Sequence, residues 1–233
     1  MPNLEGARGL SSSVDSSSVP VLSQLITKEL NRSTTGKVWN ELLHLSRNPD
    51  VCNLGQGFPD YAGSSVAREA ASTALLDPSK AIFNQYSMPG GMASLQQAIC
   101  SYYNKLYDLK DGRDARAITP SNVLVTVGAT EALYMAVKSF AGVGDEVIAF
   151  SPGFPWYVSD SLLSGATMAI VELEGPDFAP DLSKVEAVIT PRTRVLLLNT
   201  PHNPCGHCYT EEELQGFARL AHKHNLVIIS DEV

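Results

Sequence analysis

The sequence predicts an α/β fold, a mostly parallel sheet flanked by helices, with an N-terminal helical arm ahead of it. Three observations predict this. Short apolar runs without polar interruption (EVIAF, VLLLN, LVIIS) recur along the second half, as in strands covered on both faces. Amphipathic helical stretches alternate with them, which is the order of a parallel sheet built from crossovers. The Gly-, Pro- and Asn-rich segments follow the strands, at the carboxyl ends where such sheets gather ligands.

In chain order, residues 1–20 are rich in serine and poor in apolar side chains (LSSSVDSSSVP), and read as a mobile tail. Residues 21–46 follow a mostly helical pattern interrupted by Gly36, with Trp39 in its second half. VCNLGQGFPDY is a short apolar piece entering a Gly/Pro loop. Ser94 to Tyr107 reads as a helix with a Ser94/Gln97 capping box and one face made by Leu95, Ile99, Tyr102 and Leu106. NVLVTV predicts a strand, GATEALYMAVKSF a helix (Leu133, Ala136, Val137 and Phe140 inward), and EVIAF a second strand. After the loop SPGFPWY come a helix, the strand MAIVEL and the strand VLLLN. TPHNPCGHCY is a loop. The next helix opens at Thr210 with Glu213 closing a capping box, and turns Leu214, Phe217, Ala218 and Ala221 inward. LVIIS is the last strand, and Asp231 and Glu232 follow it.

Composition narrows the function. With 233 residues, 44% of them hydrophobic, the chain can bury a sizeable core. A net charge of −8 argues against nucleic acid or an anionic membrane surface as partner, though a small anion held by local groups is compatible with it. No apolar run approaches the roughly 18 residues of a membrane span. Four cysteines without a framework spacing, and no secretory signal, favour a reducing compartment: the cytoplasm, or an organelle if the Ser-rich start is a transit peptide.

Five constellations could carry chemistry. Gly128-Ala129-Thr130 joins a predicted strand to a helix. The turn is either a plain connection or an anion site at a helix N-terminus. SPGFPWY offers Phe154, Trp156 and Tyr157 as a platform for a planar ligand or as an aromatic plug. Asn199 and Asn203 either close a turn or donate to a ligand oxygen. Cys205-Gly206-His207-Cys208 has the sequence of a redox dithiol, and His202 adds a possible metal ligand. Both cysteines precede the N-cap, however, where no helix dipole would stabilise a thiolate. Asp231, at the end of a buried strand, needs a cation or strong donors to offset desolvation.

Taken in order, NLGQGFPDY, NQYSMPGG, VTVGATEAL, SPGFPWY, NTPHNPCG and SDEV resemble the class I, fold type I aminotransferases that use pyridoxal 5'-phosphate. Within them, the sequence is most similar to the kynurenine–oxoglutarate/glutamine transaminase group, the cysteine-conjugate β-lyases. The resemblance implies that Asp231 pairs with the cofactor's pyridine nitrogen, Asn203 donates to its ring hydroxyl oxygen, and Phe154 stacks on the ring. It implies further that Gly128, Ala129 and Thr130 receive the phosphate, that Tyr86 reaches the phosphate of a neighbouring subunit, and that Trp39, Gly57 and Asn203 line the substrate pocket. The expected reaction is transamination between an amino acid and a 2-oxo acid in a homodimer, with C–S β-elimination or a non-catalytic cofactor-binding role as alternatives. The implied layout is a tail over 1–20, an arm and part of a small domain over 21–60, and an incomplete cofactor-binding large domain over 61–233. No lysine of this chain sits in a motif matching the one that forms the Schiff base. That lysine is expected beyond Val233, leaving this chain inactive by itself with one hydrophobic strand at an open sheet edge.

Overall fold

The computed structural model describes residues 35–55, 57, 59–109 and 116–233, the side chains of residues 35–39 excepted. The Ser-rich segment and the first part of the predicted arm lie outside the described residues. The described residues divide into two compact units, one within Leu42–Ala132 and a second made of residues 35–41 with Leu133–Val233.

Helices α1 (Thr35–Leu45), α2 (Ser65–Leu76) and α3 (Ala93–Leu106) come first, then α4 (Gly128–Phe140). The sheet unit follows as β1 (Glu146–Ser151), α5 (Trp156–Ser164), β2 (Thr167–Glu172), α6 (Leu182–Ala187), β3 (Thr193–Asn199), α7 (Glu211–His224) and β4 (Val227–Asp231). All pairings are parallel, in the order β2-β1-β3-β4.

Alternation along β1 and β3 divides their side chains between two cores. Ile148, Phe150, Leu196 and Leu198 face Val185 of α6 and Phe217 and Leu220 of α7. Val147, Ala149, Val195 and Leu197 face Leu133 and Val137 of α4 and Tyr157 of α5. The middle of each central strand, VIAF in β1 and VLLL in β3, is therefore apolar at every position, as burial on both faces requires. A side chain such as Phe217, fully buried, contributes about 1.5–3 kcal/mol through loss of water contact.

The order has a consequence for function. From β1 the chain moves outward to β2 by α5, then returns past β1 to β3 by α6, and α5 and α6 lie on opposite faces. The carboxyl ends of β1 and β3 thus flank a topological switch point, where a crevice opens in sheets of this kind.

Several expectations are corrected. NVLVTV forms no strand among the described residues. Its Val125 amide donates to the Gly90 carbonyl (3.0 Å) and Gln96 Nε2 donates to the Val123 carbonyl (2.9 Å), so a loop and a side chain meet backbone groups that a ladder would use. The predicted Ser94 capping box is absent, because α3 starts at Ala93 with Met92 at its N-cap, two residues before the predicted cap. In α3 the buried residues are Cys100 and Asn104, whereas Leu95, Tyr102 and Leu106 are exposed. Asn104 is held by reciprocal bonds with the Ile118 main chain, both at 2.8 Å, which sets the inward face by polar pairing rather than by apolar count. On α4, Leu133 and Val137 point inward as expected, while Phe140 is exposed. The inward face of α7 is Gly216, Phe217, Leu220 and Ala221; Leu214 and Ala218 are exposed. Gly216 lies on that face against Leu182: a Cβ there would stand 2.2 Å from Leu182 Cδ1, so the leucine side chain would have to move.

Candidate active site

Asp231 ends β4 in register with Asn199, the last residue of β3. It is buried at 8% exposure, and the Tyr157 hydroxyl donates to its Oδ2 at 2.6 Å. Among the described residues, the strong donor that meets this carboxylate is thus a phenol on α5. Burial, then the hydrogen bond to Asp231, raises the Tyr157 pKa, so the hydroxyl keeps its proton and stays a donor.

Asn199, also buried, uses both ends of its amide. Nδ2 donates to the Asp231 carbonyl (3.1 Å) and Oδ1 accepts from the Asn203 backbone amide (2.6 Å). This ties the end of β4 to the loop after β3. Asn199 thus closes the turn, while Asn203 presents an exposed side chain.

Trp156 and Tyr157, expected in a loop, instead open α5. Phe154 stays in the loop after β1 and meets Tyr157 edge-on (ring centroids 5.5 Å apart) and Trp156 at 5.8 Å. The loop is tight: a Cβ at Gly153 would lie 2.3 Å from the Phe150 carbonyl oxygen, so only glycine fits. Phe154 and Tyr157 also wall a cavity of about 240 Å³ with Ala149, Met168 and Ile170. Phe154, Asn203 and Asp231 therefore come from loops or ends of three adjacent strands, and the structure brings them together through Tyr157 and Asn199.

The remaining predicted residues belong to the other unit, save Trp39, whose side chain lies outside the described residues. Gly128 opens α4 with φ +77°, and the turn is exposed. There the Val127 amide donates to Glu131 Oε2 at 2.5 Å, so the turn already meets a carboxylate of its own helix. Tyr86 is fully exposed, and the space around Gly57 is open.

In the CGHC segment, Cys208 is exposed, Cys205 is half-buried, and both precede the Thr210 N-cap. Burial pushes the Cys205 thiol up, opposite to the shift a redox nucleophile needs. His207 pairs with Glu213 (3.2 Å). His202 is buried with Nδ1 unpartnered, and its pKa is lowered by burial and by His207. Sequence reasoning missed the Tyr157–Asp231 bond and the double-ended role of Asn199. The one signal for the latter was a polar residue closing an otherwise apolar strand.

The profile of the aminotransferase class I and II family matches residues 49–233. The chain belongs to the class I and II aminotransferases. Among other aminotransferases, it is 36% identical over 208 residues to kynurenine–oxoglutarate transaminase 1 of Rattus norvegicus, covering 84% of this chain and 47% of that protein. It is 32% identical over 196 residues to the methionine aminotransferase of Escherichia coli, covering 84% and 48%. The solved N-succinyldiaminopimelate aminotransferase of Mycobacterium tuberculosis superposes with a TM-score of 0.74 at 37% identity, over 84% of this chain and 49% of that one. The chain thus spans about half the length of the curated relatives it matches. Among the described residues, no helix is long and apolar enough to cross a membrane.

Proposed function

We propose that this chain supplies the ring-binding wall of a pyridoxal 5'-phosphate aminotransferase acting between an amino acid and a 2-oxo acid. The observation that carries the reading is Asp231, a buried carboxylate at the carboxyl end of β4, with Phe154 and Asn203 in the loops that follow β1 and β3. The donor set fits the cofactor. A carboxylate has acceptor capacity beyond the Tyr157 bond, which suits a pyridinium N–H. An exposed amide at Asn203 suits a ring oxygen, and Phe154, half-buried beside Tyr157 and Trp156, suits the ring face. Gly128, Ala129 and Thr130 would receive the phosphate at the start of α4, displacing the Glu131 carboxylate from the Val127 amide.

When bound, the cofactor supplies an electron sink for the bond-breaking step at the amino acid's α-carbon. Asp231 keeps a proton on the ring nitrogen, and each unit of pKa it adds there is worth about 1.4 kcal/mol. Asn203 orients the ring through its oxygen, and Phe154 limits its tilt. Trp39 and Gly57, with Asn203, would line the amino-acid pocket. The fully exposed Tyr86 suits contact with a second copy of the chain in a homodimer. Four cysteines without a framework spacing support a reducing compartment, the cytoplasm or else an organelle. C–S β-elimination would use the same wall, and no residue on it favours elimination over transfer.

The reaction also needs an amine to hold the aldehyde and move the proton. No lysine in these 233 residues occupies a matching motif, so the chain alone is expected to bind the cofactor without turnover. The test measures pyridoxal 5'-phosphate uptake by absorbance, and amino-acid turnover, for the wild type and for Asp231→Ala and Asn203→Ala. Uptake by the wild type, weakened tenfold or more by Asp231→Ala, supports the proposal. Equal uptake by wild type and Asp231→Ala sinks it, and turnover by the chain alone would refute the assignment of the missing amine.

A further inference from the structure

Tyr157 has no role in the ring-binding wall as described, yet it touches two of its members. Its hydroxyl bonds Asp231 Oδ2 across 74 positions of sequence, and its ring packs edge-on against Phe154. It is 4% exposed and belongs to the core on the α4/α5 face of the sheet, so its own position is set by packing against β1 and β3. Asn199 meanwhile fixes the main chain of residue 231 from the other side.

We propose that Tyr157 is a positioning residue that sets the plane of the Asp231 carboxylate, taking Oδ2 and directing Oδ1 to the cofactor's ring nitrogen. This rests on the proposed function above. The reasoning is geometric. A carboxylate at the end of a strand rotates about its side-chain torsions unless both its main chain and one oxygen are held. Asn199 supplies the first restraint and Tyr157 the second. Because the same Tyr157 ring abuts Phe154, the carboxylate and the stacking face are referenced to one rigid side chain on α5. A hydrogen bond to an ionised group is stronger and shorter than a neutral one, which suits the 2.6 Å separation. Preorganisation of this sort acts by keeping the acceptor in place before the ligand arrives.

A double-mutant cycle on the full chain tests this, with pyridoxal 5'-phosphate as the probe and its equilibrium uptake as the readout. Tyr157→Phe keeps the ring and removes only the hydroxyl, and is expected to weaken uptake about tenfold, the scale of one charge-assisted hydrogen bond. In the Asp231→Ala background the same change is expected to have no further effect, because Tyr157 acts through Asp231. Equal losses from Tyr157→Phe in both backgrounds would overturn the inference while leaving the proposed function intact. Uptake unaffected by Asp231→Ala would instead defeat the proposed function itself.

A second measurement does not depend on that variant folding. The Tyr157 hydroxyl proton, followed by NMR in the wild type, should shift on addition of pyridoxal 5'-phosphate and lose its protection in Asp231→Ala. A hydroxyl signal indifferent to both would contradict the assignment.

Discussion

Asp160, like Asp231 and Glu146, is a buried carboxylate of the sheet unit; it lies on the inward face of α5 with Oδ2 unpartnered. Burial raises its pKa from the ordinary 3.8 to about 6. The sign follows from linkage. The folded site favours the neutral acid, so the stability this group contributes is full below its unfolded value and is lost as pH rises through about 6. Asp160→Asn mimics the neutral form. It is expected to raise the unfolding free energy by about 1–3 kcal/mol above pH 6, and to change it little near pH 4. Urea unfolding at the two pH values checks this, and an equal effect at both would refute it. At this scale, little was legible beforehand. Asp231 stood out as an acid ending an apolar strand, but its phenol partner lies in another crossover, and no local pattern links positions 157 and 231.

At the scale of elements, α7 gave the clearest sequence signal. Thr210 accepts from the Glu213 amide (3.2 Å) while Glu213 Oε2 accepts from the Thr210 amide (2.7 Å), forming the capping box the sequence predicted. Three glutamates in the first turn and His222, Lys223 and His224 in the last match the helix dipole. Thr210→Ala is expected to cost about 1 kcal/mol, measured by thermal or chemical unfolding. An unchanged midpoint would mean that the box contributes nothing. The errors on α3 and α7 have one cause. Periodicity names an apolar stripe, but the partner surface decides which part of it is covered, and in α7 Gly216 lies against Leu182 while Leu214 faces outward. NVLVTV failed for a related reason, since β propensity marks a segment able to pair and a ladder needs a neighbour.

For the whole molecule, the sheet's outer edge matters most. Among the described residues, β4 pairs only with β3, and Ile228 is 38% exposed although it stands in register with the fully buried Leu196. Such an edge is a template for further pairing. The 233-residue chain is therefore expected to self-associate with rising concentration, and Ile228→Lys to reduce this, as read by light scattering. Association untouched by the substitution would locate the contact elsewhere.

By itself, the sequence determined the α/β class, the parallel strands, the capped helix after Thr210 and the acid at the end of the last strand. Each of these is written in local periodicity, capping chemistry or an out-of-place polar residue. Only the tertiary structure decided the strand order, the switch point between β1 and β3, the Tyr157–Asp231 bond and the two-ended tie made by Asn199. Those depend on which segments become neighbours after the chain crosses itself, a choice made by summed packing over the whole sheet and carried by no single stretch of residues.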